Sequence, residues 1–301
     1  MDKNIFCVDI GGSKLICGAL TTSGEILDTY RTDYPKNYTI ETILEAIVTG
    51  YKKLSHFEYC ACGVAVPGLC DYKSGEWLYS PFSGLSNIPI TEYVKDITGL
   101  VTFADNDVNV SALAEKYFGL CKESDNFLWI TVSNGIGGGL FLNGNLYRGE
   151  NLSAGEIGHF IVEENGRKCG CGNTGCLEAH ASGASISAIY ARKNHKYIPA
   201  KDIASLARNG DKDAMEVWQN AGAYIGKAAS YVVNILGIDT VVLGGGAAEA
   251  FDLLEPFAMD NLDKLVFKKA NPNAKILHSE LGGFAALYGC AALVLEEGEL
   301  I

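Results

Sequence analysis

Short apolar runs alternate along this chain with glycine turns and with stretches of helical period. Asn4 to Asp9 is an apolar run closed by an acid, Gly11-Gly12 follow, and Lys14 to Leu20 is a second run. Gly24 marks another turn before Glu25 to Arg31. This pattern predicts strand, glycine turn, strand; a strand-to-helix turn would show helical spacing after the glycines. Ile43, Leu44, Ile47, Val48, Tyr51 and Leu54 then recur at helical spacing, which predicts a helix from Ile40 behind a Thr39 cap. Tyr59 to Val66 reads as a strand broken by Pro67-Gly68. A short helix is expected from Thr91 to Thr98, stopped by Gly99, followed by a strand from Val101 to Ala104. Asn106 and Asp107 stand where the next helix starts, and it ends near Gly119.

The opening pattern then repeats. Phe127 to Val132 is a strand, Gly135 and Gly137-Gly138-Gly139 follow, and Leu140 to Leu142 is a strand turning at Asn143-Gly144. Helical spacing returns over Glu178 to Arg192, Lys201 to Arg208 and Asp213 to Leu236. A buried strand, Thr240 to Leu243, runs into Gly244-Gly245-Gly246, and a small-residue helix covers about Gly283 to Leu295. A duplicated strand–glycine turn–strand is the organisation of actin-like nucleotide-binding folds, in which two related domains clamp ATP between two phosphate loops. The fold expected is therefore α/β: a duplicated actin-like (ribonuclease H-like) ATPase fold, two domains around an ATP cleft. Residues 1–106 form the smaller domain, completed by a C-terminal helix at about 284–301, and residues 107–283 form the larger.

Composition narrows the reading. The 301 residues are 48% apolar and include 15 Tyr and 12 Phe, which excludes a disordered chain. A net charge of -12, from 24 basic against 36 acidic residues, argues against a nucleic-acid backbone or an anionic membrane as partner. The N-terminal apolar run is too short for a signal peptide, and no apolar stretch of about 18 residues suggests a membrane span. A cytoplasmic, reduced protein is expected. Of ten cysteines, Cys7, Cys17, Cys60, Cys62, Cys70, Cys121 and Cys290 are scattered and read as buried thiols.

The remaining three lie together. His159, Cys169, Cys171 and Cys176 occur in GHFIVEENGRKCGCGNTGCLE, one imidazole and three thiols whose softness and number suit a tetrahedral zinc ion. Gly170, Gly172 and Gly175 are expected to give the tight backbone this requires. With four protein ligands the zinc would be structural, since no position is left open. A redox or incidental cluster is the competing reading, against which the placed histidine counts.

The stretch AGEIGHFIVEENGRKCGCGNTGCLEAHASG closely resembles the signature of the ROK family of sugar kinases and related repressors. DIGGSK resembles that family's first phosphate loop, VAVPGLCD its sugar-contacting turn, and DNDVNVSALAE its catalytic segment. VSNGIGGG resembles the second phosphate loop and VVLGGG the adenosine-side motif. The matches run in family order over nearly the whole chain.

The resemblance implies an ATP- and Mg²⁺-dependent kinase that phosphorylates the 6-hydroxyl of a hexose. Asp107 becomes the general base, although local sequence alone would make it a plain helix cap; a helix start would hold it ionised through unpaired amides and the dipole. Gly68, Asn106, Glu156, His159 and Glu178 become sugar contacts, His159 with one ring nitrogen on zinc and the other toward the sugar. Asp9, Gly11, Gly12, Ser13 and Lys14 form the first phosphate loop, with Asp9 toward Mg²⁺; Ser13 stands in place of the usual Thr. Ser133, Asn134, Gly135, Gly137 and Gly138 form the second, Asn134 also standing where the family usually has Thr. Gly244, Gly245 and Gly246 take adenosine. A homodimer is implied as well. Repressors of the family carry an N-terminal helix-turn-helix, whereas the first phosphate-loop strand here begins at residue 4, so a kinase is expected over a sugar-sensing regulator. AGEIGH resembles glucose-type members and VSNG the amino-sugar members. Glucose leads, with N-acetylmannosamine, fructose, mannose and phosphorylated glucosides open.

Overall fold

The computed structural model describes residues 3–35 and 37–298. The chain divides into two compact units, Met1–Glu123 with Arg148–Ser153 and Phe284–Ile301, and Ser124–Tyr147 with Ala154–Gly283.

The first unit runs β1 (Asn4–Ile10), β2 (Lys14–Thr21), β3 (Ile26–Asp33), α1 (Ile40–Lys53), β4 (Tyr59–Val66), β5 (Leu69–Asp71), β6 (Glu76–Tyr79), β7 (Ser86–Ile88), α2 (Ile90–Thr98), β8 (Thr102–Asn106) and α3 (Asp107–Tyr117). The final helix of the chain, Ala285–Glu297, also belongs here; residues 299–301 of the expected C-terminal helix lie outside the described residues. Its main sheet has the order β3-β2-β1-β4-β8, antiparallel across the first three strands and parallel from β1 to β8. Phe6, Val8 and Ile10 point from β1 into a core shared with Ile43 and Ile47 of α1 and Ile90 and Val94 of α2. The other face meets the final helix at close range. A Cβ at Gly63 would stand 2.1 Å from the Cys290 carbonyl oxygen, and one at Gly289 would stand 2.0 Å from that of Val110. That contact groups α3 with the first unit, so the compact unit extends to Glu123, past the Asn106–Asp107 boundary expected from the sequence.

The second unit runs β9 (Phe127–Val132), β10 (Ile136–Leu142), β11 (Asn145–Tyr147), α4 (Leu177–Ala181), α5 (Gly183–Asn194), α6 (Ala200–Arg208), α7 (Lys212–Leu236), β12 (Thr240–Gly244), α8 (Phe251–Leu265) and β13 (Lys275–His278). Its sheet order is β11-β10-β9-β12-β13, again antiparallel for three strands and parallel for the rest. Each unit thus places its third, second, first and two later strands in the same order, which is the duplication of the actin-like ATPase fold. The small sheet β5-β6-β7 is an insertion in the first copy.

Three features depart from the sequence reading. The helix expected from Glu178 to Arg192 is two helices, because Ser182 adopts an extended conformation and caps α5 through its hydroxyl, which accepts from the Ser185 amide at 3.1 Å. Helix α8 escaped the periodicity because Pro256 lies inside it. The strands β5–β7 are three or four residues long, too short for a period to register. No helix among the described residues is long and apolar enough to cross a membrane.

Candidate active site

In the first unit the site forms at the carboxyl ends of parallel strands, where side chains leave the sheet unobstructed. Asp9 pairs in register with Ala65, and Ala65 with Asp105, so β1, β4 and β8 end together. After β1 the turn is tightened by the Gly11 amide donating to the Lys14 carbonyl at 2.9 Å. Tyr34, which no motif indicated, clamps this turn. Its amide donates to the Ser13 carbonyl at 3.0 Å, and its hydroxyl bonds the Gly11 carbonyl and lies 2.9 Å from that of Lys14. With those carbonyls and the Gly11 amide occupied, the amides of Gly12 and Ser13 are the groups of the turn left for an anion.

At the other strand end, Asn106 is the N-cap of α3. Its Oδ1 accepts from the amides of Val108 (2.9 Å) and Asn109 (3.2 Å), and its Nδ2 donates to the Gly68 carbonyl (2.7 Å) and to Asp107 Oδ1 (3.0 Å). Both its donors and both acceptor sites are used within the protein, so here it positions Asp107 and the Gly68 turn. Gly68 has φ +91°, and a Cβ would collide with the Tyr79 carbonyl oxygen at 2.3 Å, so no other residue fits this turn.

Asp107 Oδ1 also accepts from the Val108 amide at 3.0 Å. Burial pushes its carboxyl up to about 7, and the charge of Asp9 adds to the rise, against the lowering effect of hydrogen bonds from the Val108 and Asp107 amides and Asn106. The helix-start amides therefore do not keep it strongly ionised, as the sequence reading expected; desolvation and a like charge outweigh them. Asp9 is likewise raised by burial, to about 6, with Lys14 working in the opposite direction. The charge of Asp9 raises Asp107, so the two half-buried carboxyl groups form a place where a hard divalent cation would relieve repulsion, which fits Mg²⁺.

In the second unit the β9–β10 turn carries Ser133 and Asn134, both exposed, with the Ser133 amide donating to the Gly135 carbonyl at 2.9 Å. The segment Ala154–His159 lies flat on this hairpin: a Cβ at Gly155 would sit 2.0 Å from the Gly138 carbonyl oxygen, and one at Gly158 would sit 2.1 Å from that of Ile136. Glu178 reaches the same turn, its Oε2 accepting from the Ile136 amide at 3.0 Å beside Gly135. Glu156, His159, Glu178 and the Ser133–Gly138 turn are thus brought together within this unit.

Beneath them lies the cysteine cluster. The donor atoms of His159, Cys169, Cys171 and Cys176 all fall within 4.8 Å of one another. Cys171 and Cys176 sulfurs are 3.6 Å apart, and Cys169 Sγ is 3.8 Å from His159 Nδ1. Zinc–sulfur bonds of about 2.3 Å in a tetrahedron put sulfurs about 3.8 Å apart, so the donor set and its spacing fit zinc. His159 turns Nε2 the other way, 3.8 Å from Glu156 Oε2. Gly172 (φ +97°) and Gly175 (φ +87°) supply the backbone the loop needs; Gly170 has neither a positive φ nor a neighbour within 4 Å. His180 is buried and accepts from the Arg167 amide at 3.1 Å, anchoring the start of the loop. The other cysteines are buried, except Cys60, which is half-buried.

The glycines after β12 divide. A Cβ at Gly244 would strike the Trp129 ring at 2.0 Å, so this glycine is required by packing; Gly245 has φ +92°, and Gly246 is open on its Cβ side. Of the expected adenosine contacts, Gly246 is the one whose surroundings leave room.

The profile described as the ROK family matches residues 5–297. Glucokinase of Halalkalibacterium halodurans is 30% identical over 96% of this chain and 94% of its own. The xylose repressor of Bacillus subtilis is also 30% identical, over 78% of this chain and 60% of the repressor. Among solved structures, a ROK family glucokinase from Streptomyces griseus in complex with glucose and AMPPNP superposes with a TM-score of 0.88 at 28% identity, covering 97% of this chain and 99% of that one.

Proposed function

Because this chain belongs to the ROK family, we propose that it is an ATP-dependent hexose kinase that phosphorylates the 6-hydroxyl, with glucose as the leading substrate. The observation that carries the reading is Asp107. It is a carboxyl raised to about 7, held at a helix start by Asn106 and within reach of the charge of Asp9 near the end of β1. A base that is half ionised near neutrality suits removal of a hydroxyl proton. In the reaction the sugar oxygen bonds to the γ-phosphorus, the bond to the β-phosphate oxygen breaks, and the hydroxyl proton passes to Asp107. Asp9 would hold Mg²⁺, which supplies neutralisation of the phosphate charge. The first glycine turn, Gly11 to Ser13, would bind phosphate through the amides of Gly12 and Ser13, with Lys14, and the Ser133–Gly138 turn would serve as the second phosphate loop. Glu156, His159 and Glu178 would orient the sugar hydroxyls, with zinc on His159, Cys169, Cys171 and Cys176 fixing the imidazole. Cytoplasmic placement belongs to the same reading.

A second reading, a sugar-sensing regulator, is favoured by the repressors of equal identity. One experiment separates the two: ADP release measured over a panel of glucose, N-acetylmannosamine, fructose and mannose, with Asp107→Asn as control. A kinase releases ADP with at least one sugar, and the Asn variant loses it by about a hundredfold or more. Thermal stabilisation by a sugar without ADP release would assign the regulator.

A further inference from the structure

The cluster behind the base remains without a role in the reading above. Asp105, the residue before Asn106, is 1% exposed, and its two oxygens face different partners. Oδ1 accepts from the Asn106 amide at 2.6 Å and from Asn109 Nδ2 at 3.0 Å, while Oδ2 accepts from Arg148 Nε at 2.7 Å. The Arg148 side chain is 10% exposed. Its guanidinium carbon lies 3.9 Å from the centre of the Tyr72 ring, and Nη2 is 3.4 Å from Glu297 Oε1. Nearby Glu296 keeps one carboxylate oxygen buried with no hydrogen-bond partner among the described residues. Arg148 is also the residue at which the chain, leaving β11, re-enters the first unit.

We infer that Arg148 and Asp105 are positioning residues for the catalytic base. The path is short and each link is a hydrogen bond: Arg148 orients Asp105, Asp105 fixes the Asn106 amide, and the Asn106 side chain holds Asp107 Oδ1 and the Gly68 carbonyl. The chemistry of position 105 explains why a carboxylate serves here. It must accept on both oxygens at once, from a guanidinium on one side and from a backbone and a side-chain amide on the other. An asparagine has one accepting oxygen and one donating –NH₂ group, so in either orientation it turns an N–H toward a donor. Mere stability is a weak account of the pair, because buried ion pairs often contribute little against apolar replacements of similar volume. A base held within a few tenths of an ångström is sensitive to this support, since misplacement by about 1 Å can cost about a hundredfold in rate.

The inference rests on the kinase reading, and the test keeps the two apart. Hexose-dependent ADP release is first measured on the unmodified protein; its absence would overturn the reading and the inference with it. Steady-state kinetics are then measured for Asp105→Asn, Arg148→Met and Arg148→Lys, with thermal melts as a check on folding. The expected result is a fall in kcat of about tenfold or more for Asp105→Asn and Arg148→Met, with KM for ATP and hexose changed by less than about threefold, and partial recovery of kcat in Arg148→Lys. Should Arg148→Met fail to fold, leaving three carboxylates without their cation, Asp105→Asn decides alone, since it keeps side-chain volume and removes a charge. Folded variants with wild-type kcat, or with KM rising while kcat holds, would overturn the inference.

Discussion

Asp107 is poised by opposing effects, and its pH behaviour follows from which one wins. Burial and Asp9 raise its pKa to about 7 against three hydrogen bonds that lower it. The deprotonated form accepts the proton, so kcat/KM for the sugar is expected to fall about tenfold per pH unit below about 7 and to level off above it. A profile flat to pH 5 would show that Asp107 is not the base. The same shift bears on stability. A carboxyl whose folded pKa lies above its unfolded value binds protons more tightly in the native state, so its contribution to stability declines as pH rises from about 4 to about 7. Asp107→Asn can keep the bonds from Val108 and Asn106 to Oδ1 while removing the buried charge. It is therefore expected to be more stable than the parent by about 1 kcal/mol or more at pH 8, a gain that disappears near pH 4, read from urea midpoints at both pH values. Loss of activity with gain of stability in one substitution is the signature of a strained functional group.

At the scale of elements, the cysteine loop and the α7–α8 pair show two ways in which local structure depends on a neighbour. Cys176 is the N-cap of α4 and stands two residues before Glu178, whose carboxylate holds the Ile136 amide of the second glycine turn. Removing the metal should thus loosen Glu178 as well as the loop. Purified protein is expected to contain about one zinc per chain, and stripping it with a chelator should lower the melting temperature and raise KM for the sugar. A content near zero in active protein would remove zinc from the account. Helices α7 and α8 approach through Gly222 and Gly226, where a Cβ would lie 2.4 Å from the Leu254 carbonyl oxygen and 2.1 Å from that of Ala258. Alanine favours an isolated helix by about 1 kcal/mol over glycine, yet backbone cannot yield as a side chain can. Gly226→Ala is expected to destabilise by about 1–3 kcal/mol, read as a lower urea midpoint at unchanged slope.

For the whole molecule, both units carry the same strand order, and the family resemblance implies a homodimer. Light scattering is expected to give twice the 32.2 kDa of one chain, and a mass of one chain at micromolar concentration would set the dimer aside. The duplication was legible because each glycine turn follows an apolar run and precedes another, a signal carried by adjacent residues. Asp107, the glycine turns and the cysteine cluster were legible for the same reason: each is written in a contiguous motif. Tyr34, Asp105 and Arg148 were not. Tyr34 meets Gly11 across 23 positions and Lys14 across 20, and Arg148 meets Asp105 across 43. Nothing in their immediate neighbours marks them. Sequence by itself therefore determined the repeated hairpins and the grouping of one histidine with three cysteines in a glycine-rich loop, both matters of local pattern and residue chemistry, whereas it marked Asp107 only as a helix start until the family resemblance gave it the role of base. Only the tertiary structure decided that Asn106 is saturated within the protein, that burial and Asp9 set the pKa of Asp107, and that a buried ion pair stands behind it. Desolvation and long-range pairing arise when distant segments exclude water together, and no local pattern records which segments those are.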